Sequence, residues 1–192
     1  MNILHIDSSI LGEHSASRAI TAEIVSRLSQ RNRGITVTRV DLAAEPLPHL
    51  SAASLARSDA TEAARAERAM ADFLAADVIV IGAPMYNFSI PSTLKAWIDR
   101  VAVADKTFRS TASGPEGLAK GKRVFLAITQ GGVHELGGAS EHHESYLRFV
   151  LGFLGIDDIT VVRAQGLAST AHRDSALGKA LASVAHDLPL AA

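Results

Sequence analysis

Short apolar segments alternate along the chain with longer segments of helical periodicity, a pattern typical of a parallel sheet covered by helices on both faces. The first strand is expected at residues 3–7. Residues 78–82 and 124–128 are apolar at successive positions, as central strands are, whereas residues 35–40 and 159–163 mix polar and apolar positions, as edge strands do. The pattern predicts an α/β fold with a doubly wound, five-stranded parallel sheet of order 2-1-3-4-5.

Apolar residues three or four positions apart predict the helices between these strands. Pro91 suits the first turn of the third helix, because its missing N–H would have no partner there. Ser140 is a candidate N-cap of the fourth helix, and Ser169 or Thr170 of the last. The proline-rich start of residues 43–59 predicts a long irregular excursion. The expected packing stripes are Ile20, Ile24 and Leu28; Ala66, Met70, Phe73 and Leu74; and Leu94, Ile98 and Val101.

The composition narrows the class of protein. With 192 residues, 47% of them apolar, the chain is expected to form one domain, residues 1–192. We expect a cytoplasmic protein with no membrane partner, because we find neither a signal-peptide pattern nor an apolar stretch of roughly 20 residues. The 19 basic and 20 acidic residues form no basic stripe, which argues against nucleic acid and for a small-molecule partner. Because there is no cysteine, redox chemistry would need an organic cofactor.

The loop after the first strand predicts an anion site. In open parallel sheets, ligands bind at the carboxyl ends of strands where the strand order reverses. This loop is rich in hydroxyl groups and leads into a helix N-terminus, whose free N–H groups favour a phosphate. No dinucleotide or nucleoside-triphosphate glycine motif is present, so a monophosphate fits better. Alternatively, these serines only cap the helix and form a turn. The candidate residues are Ser9, Ser15, Ala16 and Ser17.

The loops after the third and fourth strands predict a site for a flat ring. Large side chains occupy the first loop, where a heteroaromatic ring could cover them; the alternative is a hydrophobic staple at the start of the next helix. Paired glycines in the second loop let backbone N–H groups approach a ligand, although an ordinary tight turn would also use them. The candidates are Met85, Tyr86, Asn87 and Phe88, and Thr129, Gln130, Gly131 and Gly132.

Three histidines follow the fourth strand in the sequence. His134 could donate a proton or a hydrogen bond to a reduced product, since imidazole titrates near neutral pH, or it could be a solvated loop residue. His142 and His143 would point about 100° apart on a helix. We therefore expect them on an exposed face and predict no metal site.

Together, these segments resemble the FMN-dependent NADH-azoreductase family, a branch of the flavodoxin-like quinone reductases. The resemblance rests on the three loops, on Phe108-Arg109 followed by residues 114–118, and on the Gly131–His134 segment, all in the family's order. It implies a flavodoxin-like fold and FMN as cofactor, with the phosphate near Ser9 and Ser15–Ser17 and the isoalloxazine between the other two loops. Thr129-Gln130 departs from the serine and arginine, or similar pair, of many members of the family, which leaves substrate preference open.

The resemblance further implies a ping-pong reaction in which NADH or NADPH passes hydride through FMN to a quinone or an azo compound. It implies a homodimer, with aromatics such as Phe108 or Phe153 closing the partner's pocket. Two other functional classes are alternatives to a reductase. A hydrolase, suggested by an older acyl-carrier-protein phosphodiesterase label in the family, lacks a nucleophile elbow in this sequence. A flavodoxin-type electron carrier would be strongly acidic, whereas this chain is near neutral.

Overall fold

A computed structural model describes residues 1–32 and 34–188. Its main sheet is parallel and five-stranded, in the order β2-β1-β3-β6-β7, which confirms the predicted order 2-1-3-4-5. The observed strands extend one or two residues beyond most of the predicted boundaries. The strands of this sheet are β1 (Asn2–Asp7), β2 (Thr36–Asp41), β3 (Val78–Pro84), β6 (Arg123–Thr129) and β7 (Asp158–Ala164).

Helices cover both faces of the sheet, as predicted. The helices are α1 (Ala16–Arg31), α2 (Ala52–Leu55), α3 (Ala60–Ala75), α4 (Ser92–Val101), α5 (Glu144–Phe153) and α6 (Thr170–Asp187). α1 and α6 pack on one face, and α3, α4 and α5 pack on the other. None of the helices in the described part of the chain combines the length and apolar character required to cross a membrane.

The core has two layers because β3 and β6 are buried on both faces. On the α1 side, Ile20 and Ile24 pack against Val80 of β3 and Phe125 of β6. On the other side, the rings of Phe73 and Trp97 meet edge to face, with centroids 5.9 Å apart. The predicted stripes on α1 and α4 are therefore confirmed. Leu74 was wrongly placed in the α3 stripe, because its side chain points away from the sheet and is exposed.

The structure corrects the predicted start of the fourth helix. α5 begins at Glu144, not after Ser140, and its N-cap position is His143. The Glu141 carboxylate takes the capping role, accepting from the N–H groups of His143, Glu144 and Ser145 at 2.9, 2.6 and 3.2 Å. Glutamate is not among the preferred N-cap residues, so the sequence rules favoured the nearby serine.

Two further elements were not predicted. A short antiparallel hairpin, β4 (Phe108–Thr111) and β5 (Gly114–Gly117), lies between α4 and β6. The long excursion after β2 contains the single-turn helix α2, which Ser51 and Ser54 stabilise with a reciprocal capping box. Both elements are too short to give a recognisable apolar periodicity.

Candidate functional site

The carboxyl ends of β1, β3 and β6 lie side by side because these strands are neighbours in the sheet. The Met85 N–H donates to the Thr129 carbonyl at 2.7 Å, which joins the loop after β3 to the end of β6. The Tyr86 hydroxyl accepts from the Ile10 N–H at 3.1 Å and lies 3.3 Å from Ser9 Oγ. The structure thus brings all three predicted segments together at one edge of the sheet.

Ser9, Ser15, Ala16 and Ser17, which we call the anion cradle, surround the N-terminus of α1. Ser15 caps this helix by accepting from the Arg18 N–H at 3.3 Å, and its hydroxyl lies 3.0 Å from that of Ser17. Within residues 1–32 and 34–188, the N–H groups of Ala16 and Ser17 have no acceptor, and the first turn carries no acidic residue. Capping and anion binding are therefore compatible, since free donors remain at the positive end of the helix.

Charged side chains lie directly behind the anion cradle. The Arg18 guanidinium donates to both carboxylate oxygens of Asp41, at 2.7 and 2.8 Å, and to the Ser9 carbonyl at 2.8 Å. This hydrogen bonding to Arg18 lowers the pKa of Asp41, which the N–H groups of Ala43 and Ala44 also stabilise in its charged form. The same bond raises the pKa of Arg18. Both groups are consequently charged at neutral pH.

The loop after β3 makes a tight turn that exposes Phe88. Tyr86 and Ser89 exchange backbone hydrogen bonds of 2.9 and 3.2 Å. Between them, Asn87 and Phe88 have φ values of 50° and 69°, the positive values that a type I′ turn requires at both central positions. Positive φ is unusual for phenylalanine and costs energy. Phe88 is 53% exposed, so it does not act as a hydrophobic staple for α4.

The loop after β6 presents two unused backbone donors. The carbonyls of Gln130, Gly131 and Gly132 accept from the N–H groups of Leu167, Ala168 and Gly166 at 3.1, 3.0 and 2.9 Å. In the described part of the chain, the N–H groups of Gly131 and Gly132 donate to no atom. One side of the loop is therefore fixed by the segment after β7, while its exposed glycine N–H groups can bind a ligand.

His134 is partly buried and held in place. Its ring meets Phe88 edge to face, with centroids 5.9 Å apart and planes at 84°. Its Nδ1 lies 2.9 Å from Ser140 Oγ. The structure thus places Ser140 beside His134, not at the start of a helix, and this contact leaves Nε2 of His134 for another partner.

His143 was wrongly placed on an exposed face, since it is 0% exposed, whereas His142 is exposed. Neither ring nitrogen of His143 makes a hydrogen bond of good geometry in the part of the chain that the structure describes, although the ring lies near the Ala83 backbone. Burial lowers its pKa from 6.5 to about 4, although the nearby carboxylates of Glu141 and Glu144 act in the opposite direction. His143 is therefore neutral at physiological pH.

Two residues with clear contacts to the site were not predicted from the sequence. Arg18 follows the predicted hydroxyl-rich segment, but its role depends on Asp41 from another strand. Gln165 follows β7 and donates from Nε2 to Gln130 Oε1 at 2.6 Å and to the His134 carbonyl at 2.9 Å. The other loops were identified because polar residues at the carboxyl end of a parallel strand often form a binding site. The same rule, applied to β7, would have identified Gln165.

Comparisons with known proteins agree with this geometry. The Flavodoxin_2 family, described by its flavodoxin-like fold, matches residues 1–188. The FMN-dependent NADH:quinone oxidoreductase 1 of Xanthomonas euvesicatoria pv. vesicatoria is 55% identical over 188 residues, covering 97% of this chain and 96% of that protein. The FMN-dependent NADH:quinone oxidoreductase of Stenotrophomonas maltophilia is 52% identical over 185 residues, covering 96% and 94%.

Solved structures share the whole fold. An azoreductase from Bacillus anthracis str. Sterne matches with a TM-score of 0.88 at 24% identity, covering 98% of each chain. An FMN-dependent NADH-azoreductase from Bacillus anthracis str. Ames Ancestor, in complex with FMN, matches with a TM-score of 0.83 at 25% identity, covering 98% of this chain and 100% of that chain. The fold described above is thus shared over nearly the full length of these chains.

Proposed function

The chain belongs to the Flavodoxin_2 family, and we propose that it is an FMN-dependent NADH:quinone oxidoreductase that also reduces aromatic azo compounds. Relatives more than half identical carry the quinone oxidoreductase name, which supports FMN-dependent oxidoreduction with NADH. The observation that carries the proposal is structural. One edge of the sheet offers an anion cradle, an exposed aromatic ring and a pair of free glycine N–H groups. A monophosphate joined to a flat, polar ring would engage all three.

The residues present fit FMN at both ends. Ser15 and Ser17, with the free N–H groups at the start of α1, would hold the phosphate. Phe88 would contact the isoalloxazine, and the N–H groups of Gly131 and Gly132 would face its polar edge. When bound, FMN would supply the hydride acceptor and donor chemistry that amino-acid side chains do not provide.

The protein's own residues would orient the reactants and stabilise charge. The N–H groups of Gly131 and Gly132 would stabilise negative charge that develops on the bound ring, as preorganised donors do in other enzymes. His134, whose Nδ1 is engaged by Ser140, would present Nε2 as a proton or hydrogen-bond donor to the reduced acceptor. Because both reactants would contact the same face of a ring bound at this edge of the sheet, we propose a ping-pong order in which the oxidised nicotinamide leaves before the acceptor binds.

We also propose that the enzyme is a homodimer whose second copy covers this edge of the sheet. Several large apolar side chains in the loops of the site, and one on α5, are exposed, and exposed apolar patches mark protein interfaces. They are Ile10 (71% exposed), Leu11 (53%), Phe88 (53%), Val133 (74%), Leu136 (56%) and Phe149 (74%). Phe108 and Phe153 pack against each other with ring centroids 4.6 Å apart; their contact with a partner's site remains a prediction, as does a cytoplasmic location.

A hydrolase fits the geometry less well. Ser9 Oγ contacts the Tyr86 hydroxyl at 3.3 Å and the Leu11 N–H at 3.3 Å. Neither group is a general base that could activate a serine nucleophile at neutral pH. Ser9 is therefore interpreted as part of the anion cradle.

The proposed activity can be tested by spectroscopy. The purified protein, supplied with FMN and freed of excess, should show a flavin spectrum that bleaches on addition of NADH without oxygen. Menadione or methyl red, added afterwards, should restore the oxidised spectrum. Failure to retain FMN would contradict the flavoprotein assignment. Retention of FMN with slow bleaching by both NADH and NADPH would instead favour an electron carrier.

The anion cradle can be tested by substitution. Ser17→Ala removes a buried hydroxyl of the cradle, so the affinity for FMN should fall about tenfold while the free energy of unfolding changes by about 1 kcal/mol or less. Ser26→Ala is the control on the same helix, since in the described part of the chain the exposed Ser26 hydroxyl bonds only to Gln30. Unchanged FMN affinity in Ser17→Ala would refute the assignment of the cradle.

A further inference from the structure

We infer that Arg18 is a positioning residue for phosphate binding, which it supports by neutralising the carboxylates of Asp7 and Asp41 behind the anion cradle. The inference rests on the proposed function, because it concerns the phosphate end of the same FMN site. Arg18 lies in the first turn of α1, one residue after Ser17. Its guanidinium reaches the carboxylates of Asp7 and Asp41 at the ends of β1 and β2.

The sheet register explains why a cation is needed there. Asp7 ends β1, Asp41 ends β2, and the two residues are paired across the parallel strands. Two carboxylates are thus held side by side near the N-terminus of α1. An unpaired carboxylate there would oppose the favourable potential of the helix end and repel a phosphate. Arg18 meets Asp41 with two hydrogen bonds and lies 3.9 Å from Asp7.

Asp7 cannot simply rotate away from the cradle. Its Oδ1 accepts from the Thr21 hydroxyl at 2.9 Å, and its Oδ2 lies 3.2 Å from His5 Nε2. A Cβ at position 82 would lie 2.9 Å from Asp7 Oδ1, so Gly82 leaves the room that this carboxylate occupies. The Asp7 carboxylate is therefore held in place by the fold, with Arg18 and His5 as its basic neighbours.

Arg18 also fixes the backbone of the cradle. Its Nη2 donates to the Ser9 carbonyl at 2.8 Å while donating to Asp41 at 2.8 Å. The next residue, Ile10, gives its N–H to the Tyr86 hydroxyl. Arg18 thus links the end of β2, the loop after β1 and, through that loop, the segment after β3. Its charge and its geometry both favour phosphate binding, but only the charge acts selectively on the phosphate.

Comparison of FMN with riboflavin separates the two effects. The two ligands share the isoalloxazine and the ribityl chain, and only FMN has the phosphate. Dissociation constants for both would be measured by flavin fluorescence on the flavin-free form of the full chain. In Arg18→Gln, FMN affinity should fall about tenfold and riboflavin affinity by no more than about twofold. Equal losses for both ligands would overturn the inference, because they would indicate a general distortion of the site.

The chain offers a matched control on the same helix. Arg27 is 19% exposed in its side chain and pairs with Glu23, while Arg18 is 20% exposed and pairs with Asp41. Arg27→Gln should leave the ratio of FMN to riboflavin affinity unchanged. If Arg27→Gln lowers this ratio as much as Arg18→Gln does, then the loss of any arginine on this helix has the same effect. That result would overturn the specific role of Arg18.

A second substitution keeps the inference testable if Arg18→Gln does not fold. Asp41→Asn leaves the cation in place and removes one carboxylate, so FMN affinity should rise about two- to threefold with riboflavin affinity unchanged. The double variant Arg18→Gln/Asp41→Asn, where it folds, should bind FMN more tightly than Arg18→Gln. A fall in FMN affinity on Asp41→Asn would overturn the inference. If the wild-type chain binds neither ligand, the proposed function itself fails.

Discussion

Protonation of His143 should destabilise the protein within a defined pH range. Its pKa is lowered from 6.5 to about 4, so between these values the unfolded chain binds a proton that the folded chain does not. The stabilisation is complete above about pH 6.5 and is lost as the pH falls toward 4. Linkage gives a loss of about 3 kcal/mol over the whole range and about 2 kcal/mol by pH 5.

The carboxyl groups with shifted pKa values do not affect stability between pH 7.5 and 5. The lowered pKa values of Asp41, Glu62, Glu116 and Glu141 start from 3.8 for the aspartate and 4.5 for the glutamates. Their stabilisation is present above those values and is lost at lower pH, as the carboxylates are protonated. Measurements between pH 7.5 and 5 therefore report mainly on His143.

Urea unfolding at several pH values measures this effect. Trp97 is the only tryptophan and is buried in the core, so its fluorescence follows global unfolding. Between pH 7.5 and 5, the wild-type free energy of unfolding should fall by about 2 kcal/mol, and His143→Gln should lose most of this dependence. His142→Gln, at the exposed neighbouring position, should keep the wild-type slope. The reasoning is refuted if His143→Gln and the wild type have the same slope.

Two further predictions test the hairpin and the site. In Gly117→Ala, the new Cβ would lie 2.1 Å from the backbone nitrogen of Gly155, so the free energy of unfolding should fall by more than about 2 kcal/mol. Gly178→Ala, on an open helix surface, should raise it by about 0.5–1 kcal/mol; equal urea midpoints for the two variants would contradict this. Tyr86→Phe removes the acceptor of the Ile10 N–H, so FMN affinity should fall about fivefold in fluorescence titrations, and unchanged affinity would rule out this link between the loops.

The fold was predictable because its signals are local and repeated. Buried parallel strands appear in the sequence as continuous apolar segments, and β3 and β6 are buried at nearly every position. This pattern gives the strand order, and the order gives the edge at which the three loops meet. The short hairpin of β4 and β5 was not predicted, because its four-residue strands mix polar residues with glycine and proline.

The contacts that organise the site were less predictable, because they join residues far apart in the sequence. Arg18 could be recognised as a surface residue of a helix, but its pairing with Asp41 depends on the register between β1 and β2. His143 shows the same limit. The two adjacent histidines were expected on an exposed face of the helix. However, α5 begins at Glu144, one residue after His143, and Glu141 caps it, so neither histidine lies within the helix.

The hydrogen bonds of Gln130 show how side-chain amides support the loop after β6. The His134 carbonyl can only accept, so the group of Gln165 that faces it must be Nε2. Nε2 also donates to Gln130, which fixes Oε1 as the acceptor there and leaves the Gln130 NH₂ as a donor. Two neutral amides therefore hold the end of β6 and the backbone of His134 in register. The loop that presents the Gly131 and Gly132 N–H groups is thus supported without an arginine.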